Sequence, residues 1–295
     1  MTSITNEGVG AAGVDEAATK STTAEGATTA ATTAAATTPA TTATDTATVT
    51  PAIEFRHVTK RYGDDVALDD VSLTIDQGEF ACVIGTSGGG KTTLLKCVNG
   101  LVEPSEGDLL VEGRNIRDVD LIKLRRSIGY AIQGSVLFPH MTVEQNIAYV
   151  PSLWNGRDDA RTSEAVRRWM GIVGLDEELL GRFPAELSGG QQQRVGIARA
   201  LAASPRILLM DEPFGAVDEI TRSQLQVELR RIFEQTRITV VFVTHDIDEA
   251  LALATRVAVM DKGRLCQYAT PEELVAHPEG NFVRRLVAGR HMPSA

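Results

Sequence analysis

Long apolar runs are missing from this 295-residue chain. None approaches the roughly 18 residues that a membrane-crossing helix needs; runs such as 207–210 and 240–243 are strand-sized. If such a chain works at a membrane, it must dock onto another subunit. A basic excess is missing too: 29 Lys and Arg face 39 Asp and Glu, a net charge of -10. Nucleic-acid binders ordinarily carry a basic face to neutralise phosphates, so the balance speaks against that role. Cysteine is scarce. Cys82, Cys97 and Cys266 are scattered, with neither metal-ligand spacing nor a disulfide framework. They read as small buried hydrophobes of a protein in a reducing compartment. Residues 1 to about 51 lack large apolar side chains and are dominated by Thr, Ala and Ser. Such a segment buries too little surface to offset its ordering entropy, which predicts a disordered tail. It has neither the basic start nor the apolar centre of a signal peptide. A glycosylated Thr-rich stalk is the other reading, and the character of the remaining chain argues against it.

What is present begins at Ile53. Apolar residues make up 43% of the chain, ample for a core. Short β-rich runs alternate with amphipathic helical stretches, which predicts an α/β fold. Strands are expected at 80–84, 207–210 and 239–243, and a β-hairpin at 256–268 around Asp261-Lys262-Gly263. A helix starts near Lys91, and another near Gln192 with Val195, Ala198, Leu201 and Ala202 on one face. Asp246 and Glu249 have capping-box spacing, as do Thr142 and Gln145. Thr270 and Pro271, with Glu273, open a terminal helix. Between about 135 and 188 the pattern is mainly helical, with Ala165, Val166, Trp169, Met170 and Val173 sharing a face.

Two constellations carry chemistry. Gly85-Thr86-Ser87-Gly88-Gly89-Gly90-Lys91-Thr92 fits G-x-x-x-x-G-K-[ST] between a predicted strand and a predicted helix. Glycines let the backbone approach phosphates, and the amides with the helix N-terminus make an anion nest. Lys91 is placed to reach the β- and γ-phosphates and the Thr92 hydroxyl to ligate Mg²⁺. The second is the apolar run 207–210 ending in Asp211-Glu212. Acids at the carboxyl end of such a strand face the ligand crevice of an α/β sheet. Asp211 is expected to hold Mg²⁺, through water, and Glu212 to act as general base on an attacking water. Alone, an apolar strand ending in acids is common; downstream of the glycine loop it gains its meaning.

Leu187-Ser188-Gly189-Gly190-Gln191 lies between the two. With it, the chain from about Ile53 to about Ala288 resembles the ABC ATPases, whose signature is LSGGQ. The resemblance implies a P-loop NTPase with a RecA-like core, an N-terminal antiparallel β subdomain and an inserted helical subdomain at about 135–188, the ATPase domain spanning 52–290 before a short end at 291–295. It implies that Ser188, Gly189, Gly190 and Gln191 contact ATP bound to the opposite protomer, in an ATP-sandwich homodimer. Tyr62 matches the aromatic that stacks on adenine, and Thr93 completes the phosphate-side set after Thr92. Gln133 matches the loop glutamine that senses Mg²⁺ and the attacking water while linking to the transporter. Asp218, in Gly215-Ala216-Val217-Asp218, matches the loop that crosses to the partner. His245 matches the switch histidine on the γ-phosphate. The implied catalytic set is Glu212, His245, Gln133 and Lys91; the implied metal set is Thr92, Gln133 and Asp211. Departures are small: Thr86 stands where many members have Pro, Gly89 where Ser is frequent, and Val217 where Leu is common. None removes a reacting group, which predicts an active ATPase.

Stretches 129–133 and 137–143 are similar to the family's loop that meets the membrane subunits, and 210–222 and 243–250 resemble the glycine betaine/choline/proline-betaine importer branch. The resemblance therefore implies an importer subunit on the cytoplasmic face of the membrane. Its partners would be permease subunits and, indirectly, a solute-binding protein, with no nucleic acid. An amino acid or another small polar solute is the alternative cargo. A soluble ABC ATPase of translation or repair, and a non-hydrolysing regulatory binder, are the rival classes. The tandem regulatory modules that follow many osmoprotectant ATPases have no room before Ala295, so regulation through them is not expected.

Overall fold

The computed structural model describes residues 50–132, 137–155, 158–215 and 218–289. The expected tail (apart from Thr50 and Pro51), Gln133, Ala216, Val217 and the segment 291–295 lie outside them. The elements described here belong to the unit Thr48–Ala295.

Strands β1 (Ile53–Tyr62) and β2 (Asp65–Ile75) form an antiparallel hairpin. β3 (Phe80–Gly85) then enters the glycine loop, and α1 (Lys91–Val98) leaves it. β4 (Glu106–Val111) returns beside β1, and the two-residue β5 (Arg114–Asn115) closes a four-stranded sheet of order β2-β1-β4-β5. After α2 (Leu121–Ser127) and β6 (Ile128–Ala131) the chain turns helical: α3 (Val143–Asn155), α4 (Asp159–Ile172) and α5 (Gly189–Leu201). β7 (Ile207–Asp211), α6 (Glu219–Thr236), β8 (Thr239–Val243) and α7 (Ile247–Leu253) restore the alternation. β9 (Arg256–Asp261) and β10 (Arg264–Ala269) form the expected hairpin, followed by α8 (Pro271–Ala276) and α9 (Gly280–Ala288). The second sheet has the order β10-β9-β3-β8-β7-β6, parallel except at β10.

The second sheet is buried on both faces, which is why its central strands read as continuous apolar runs. Alternation of side chains divides them between two cores. Phe80, Cys82, Leu208, Met210, Val240 and Phe242 join the helical side. Ala81, Val83, Leu209, Val241 and Val243 join α1 and the inner face of the first sheet.

The expected strands are all present, and four boundaries or details differ. The helix after Leu187 starts at Gly189, not near Gln192. Ser188 and Gln191 cap each other reciprocally (Ser188 N to Gln191 Oε1 2.9 Å, Gln191 N to Ser188 Oγ 3.2 Å), and this outweighs the poor helix propensity of two glycines. The Asp246–Glu249 box is one-sided. Asp246 caps the amides of Asp248 and Glu249, but the Glu249 carboxylate turns to Thr244 and Gln226. The terminal helix is interrupted at His277, ahead of Pro278, so α9 is separate from α8. Cys82 and Cys97 are buried as expected, whereas Cys266 is half-buried. The boxes at Thr142–Gln145 and Thr270–Glu273 are reciprocal. Thr270→Ala removes the hydroxyl that receives the Glu273 amide and should cost about 1 kcal/mol. The check is a lower urea midpoint at unchanged m-value.

Candidate functional site

Parallel order decides the site. β3, β8 and β7 are adjacent, with Val83 paired to Val243 and Val243 to Asp211. Their carboxyl ends therefore deliver the glycine loop, Thr244-His245 and Asp211-Glu212 to one edge of the sheet.

The glycine loop turns tightly because three of its residues have no room for a side chain, Gly89 among them with a Cβ 2.9 Å from the Thr86 carbonyl oxygen. A Cβ on Gly85 would lie 1.9 Å from the Met260 carbonyl oxygen, and one on Gly90 would lie 2.3 Å from that of Ala67. Gly90 is the left-handed N-cap of α1 and offers no side chain to the amides of the first turn. Lys91 is 6% exposed, and its ammonium donates to the carbonyls of Gly85 (3.0 Å) and Thr86 (2.8 Å). Burial lowers its pKa, while Glu212 and Asp211 act in the opposite direction. The Thr86 hydroxyl donates to Asp261 (3.2 Å), Ser87 and Gly88 are exposed, and Thr93 is half-buried on α1.

The acid pair stands opposite. The Thr92 hydroxyl donates to Asp211 Oδ1 at 3.2 Å. Burial raises the Asp211 carboxyl, the Thr92 hydrogen bond lowers it, and Glu212 raises it again. The Thr92 hydroxyl and Asp211 carboxylate are hard oxygen donors side by side, which suits Mg²⁺, an ion that keeps water and phosphate oxygens as most of its shell. Among the described residues no group of three or more His, Cys, Asp or Glu could hold a metal ion by itself. Glu212 departs from the strand with φ 42°, the left-handed region unusual for glutamate. Its amide donates to Val243 O at 2.9 Å, and its Oε2 lies 3.6 Å from His245 Nδ1. The His245 side chain is 68% exposed, so the pair sits at the surface of the crevice.

Tyr62 ends β1, half exposed, with the Lys60 ammonium 5.1 Å from its ring centre. The hairpin carrying it abuts the glycine loop at Ala67. The structure thus brings Lys91, Thr92, Asp211, Glu212 and His245 together, with Tyr62 on the neighbouring hairpin. Ser188–Gln191 are different. Their described contacts are with one another and with α6, where a Cβ on Gly190 would meet Thr221 Cγ2 at 2.7 Å. None of those contacts places them on the glycine loop or the acid pair of the same chain. Asp218 caps α6, accepting from the Thr221 amide (3.0 Å) and hydroxyl (2.7 Å), and these bonds hold its carboxyl below the usual range. The sequence places Glu249 only as the acid of a capping box; it is 7% exposed, next to the His245 turn. The signal available was its place in the apolar register of α7, beside Ala250 and Leu253.

The family model described as ABC transporter matches residues 68–215. The carnitine transport ATP-binding protein OpuCA of Listeria monocytogenes is 48% identical over 236 residues, 80% of this chain and 59% of that protein. The glycine betaine uptake system ATP-binding protein YehX of Escherichia coli is 49% identical over 236 residues, 79% of this chain and 76% of that protein. The chain therefore spans less than two thirds of the Listeria relative. Among solved structures, the dimeric post-hydrolysis state of the ATP-binding cassette MJ0796, bound to ADP and Pi, superposes with a TM-score of 0.67 at 33% identity. That match covers 74% of this chain and 98% of that one.

Proposed function

The chain belongs to the ABC transporter ATP-binding family, and on that premise we propose that it is the ATP-hydrolysing subunit of an importer for quaternary-amine compatible solutes such as glycine betaine or choline. The identity to the carnitine and glycine betaine relatives carries the cargo class. The convergence of the glycine loop, the acid pair and His245 carries the ATPase.

In this reading the amides of 85–92 and the α1 N-terminus bind the β- and γ-phosphates. Lys91 exchanges its two carbonyl acceptors for phosphate oxygens. Thr92 and Asp211 hold Mg²⁺, with Gln133 as a further ligand, and the ion neutralises phosphate charge. Tyr62 stacks on adenine. Glu212 takes the proton of the attacking water, and His245, beside it, contacts the γ-phosphate. Ser188 and Gly190, whose described contacts do not include their own glycine loop, serve the nucleotide of a second copy. Two chains then close around two ATP molecules, and ATP favours closure because it bridges both. The segment after Gln133 and helix α3 pass closure to permease subunits at the cytoplasmic face of the membrane.

The test is uptake of labelled glycine betaine and choline by cells with and without this subunit, at low and high osmolarity and with redundant carriers removed. Uptake lost in the deletion, and restored by the wild-type chain, is the expected result. Unchanged uptake of both solutes removes the quaternary-amine cargo and leaves the amino acid or small polar solute reading.

A further inference from the structure

Glu249 takes no part in the chemistry above, yet its carboxylate ties two elements beside the site. Oε2 accepts from the Thr244 hydroxyl at 2.5 Å. Oε1 accepts from the Gln226 amide of α6 at 3.2 Å and lies 3.7 Å from Arg222 Nε. Thr244, 2% exposed, immediately precedes His245. Its own amide donates to Val83 O of β3 (3.2 Å), and its hydroxyl receives the Asp246 amide (3.0 Å). The turn that carries His245 is thus anchored by its backbone to β3 and by one side chain, through Glu249, to α6. That second anchor adds to the backbone bond and to the 3.6 Å contact with Glu212 in holding the exposed imidazole.

A buried carboxylate is costly unless its oxygens are satisfied. Burial indeed raises the Glu249 carboxyl, with the Thr244 bond opposing and Asp246 adding to the rise. An apolar side chain would fill the space between α6 and α7 without that cost. What it would lack is the simultaneous hold on Thr244 and Gln226. At its N-terminus, close to Arg222 and Gln226, α6 bears the Asp218 cap and packs Thr221 against Gly190. The same helix therefore touches both the signature turn and, through Glu249, the histidine turn.

We infer that Glu249 is a positioning residue that locks the Thr244-His245 turn to helix α6 and so sets the imidazole beside Glu212. The inference rests on the ATPase reading of the site. It is tested on the full chain by single-turnover ATP hydrolysis, nucleotide affinity and thermal melting. The variants are Glu249→Ala, Glu249→Gln, His245→Ala, the double variant His245→Ala/Glu249→Gln, and Arg230→Ala. Arg230 makes a separate tie between α6 and α7, donating to Leu253 O at 3.2 Å, and so controls for loosened packing.

Glu249→Ala is expected to slow turnover by about tenfold or more, the scale of a misplaced group, at near-wild-type nucleotide affinity. Glu249→Gln, which keeps one acceptor for the Thr244 hydroxyl and the shape of the side chain, should recover part of the loss. It also reports should the alanine variant not fold. In the His245→Ala background Glu249→Gln should cost nothing further, because the two residues act as one unit. The ¹⁵N resonances of the His245 ring should move in both Glu249 variants and stay in place in Arg230→Ala. An equal loss from Arg230→Ala, an undiminished loss in the His245→Ala background, or wild-type turnover in Glu249→Ala overturns the positioning role. A folded wild-type chain that does not hydrolyse ATP overturns the ATPase reading and this inference with it.

Discussion

Glu212→Gln is expected to bind ATP as the wild-type chain does and to hydrolyse it about 10²–10⁴-fold more slowly, the range ascribed to a positioned general base. The substitution is close to isosteric, so it leaves the turn intact. The Glu212 amide still donates to Val243 O, and the left-handed φ is as tolerable for glutamine as for glutamate. What changes is that an amide cannot take a proton from water. Lys91, Thr92 and Asp211, which hold the phosphates and their counter-ion in this reading, keep their contacts. Affinity and chemistry should therefore separate. The chain should accumulate with ATP uncleaved, and the closed dimer, stabilised by two bridging nucleotides, should persist in size-exclusion chromatography. Equilibrium binding of a fluorescent ATP analogue and single-turnover hydrolysis measure the two quantities. A loss of less than about tenfold would place the base elsewhere. Failure to bind would mean that Glu212 supports the phosphate site itself.

The parts of this site that are legible in the sequence are those fixed by local spacing. The glycine loop, its lysine and threonine, and the acid pair lie within single strand-turn segments, and the capping boxes at Thr270 and Thr142 span four residues each. Continuous apolar runs announced β3, β7 and β8 because both faces of their sheet are covered. Features that depend on strand order were not legible. The bond from Glu212 N to Val243 O exists because β7 lies beside β8 in a particular register. The order β10-β9-β3-β8-β7-β6 could be placed only by resemblance.

Two residues show how local and tertiary rules compete. Glu249 has the spacing of a capping-box acid, and an isolated helix would use it so. The Thr244 hydroxyl and the Gln226 amide, 5 and 23 residues away in sequence, compete successfully for its carboxylate. Asp218 shows a local rule being kept. Read by resemblance as a residue of the partner interface, it is in this chain the N-cap of α6, with both oxygens engaged by Thr221. Capping and an interface role are compatible, since a capped Asp218 fixes where α6 begins and hence where Thr221 meets Gly190.

Gly85→Ala is expected to produce the largest loss of stability among single substitutions in the glycine loop, about 3–5 kcal/mol. Gly85 has φ 148° and is paired with Met260 across β3 and β9. An added methyl would lie 1.9 Å from the Met260 carbonyl oxygen, a backbone atom with no rotamer through which to retreat. Relief requires moving β9 away from β3, which disturbs the Thr86–Asp261 bond and the Gly85 carbonyl that Lys91 contacts. Nucleotide affinity should fall along with stability. Gly88→Ala is the matched comparison. Gly88 also has positive φ (75°), but a Cβ there would have nothing within 4 Å. Only the intrinsic left-handed penalty applies, about 1–2 kcal/mol. Urea unfolding of the two variants separates conformational cost from close approach. Equal midpoints would mean that φ alone makes these positions glycine. A much lower midpoint for Gly85→Ala would mean that contact with β9 sets the position of the loop, and through the loop the place where phosphates are held.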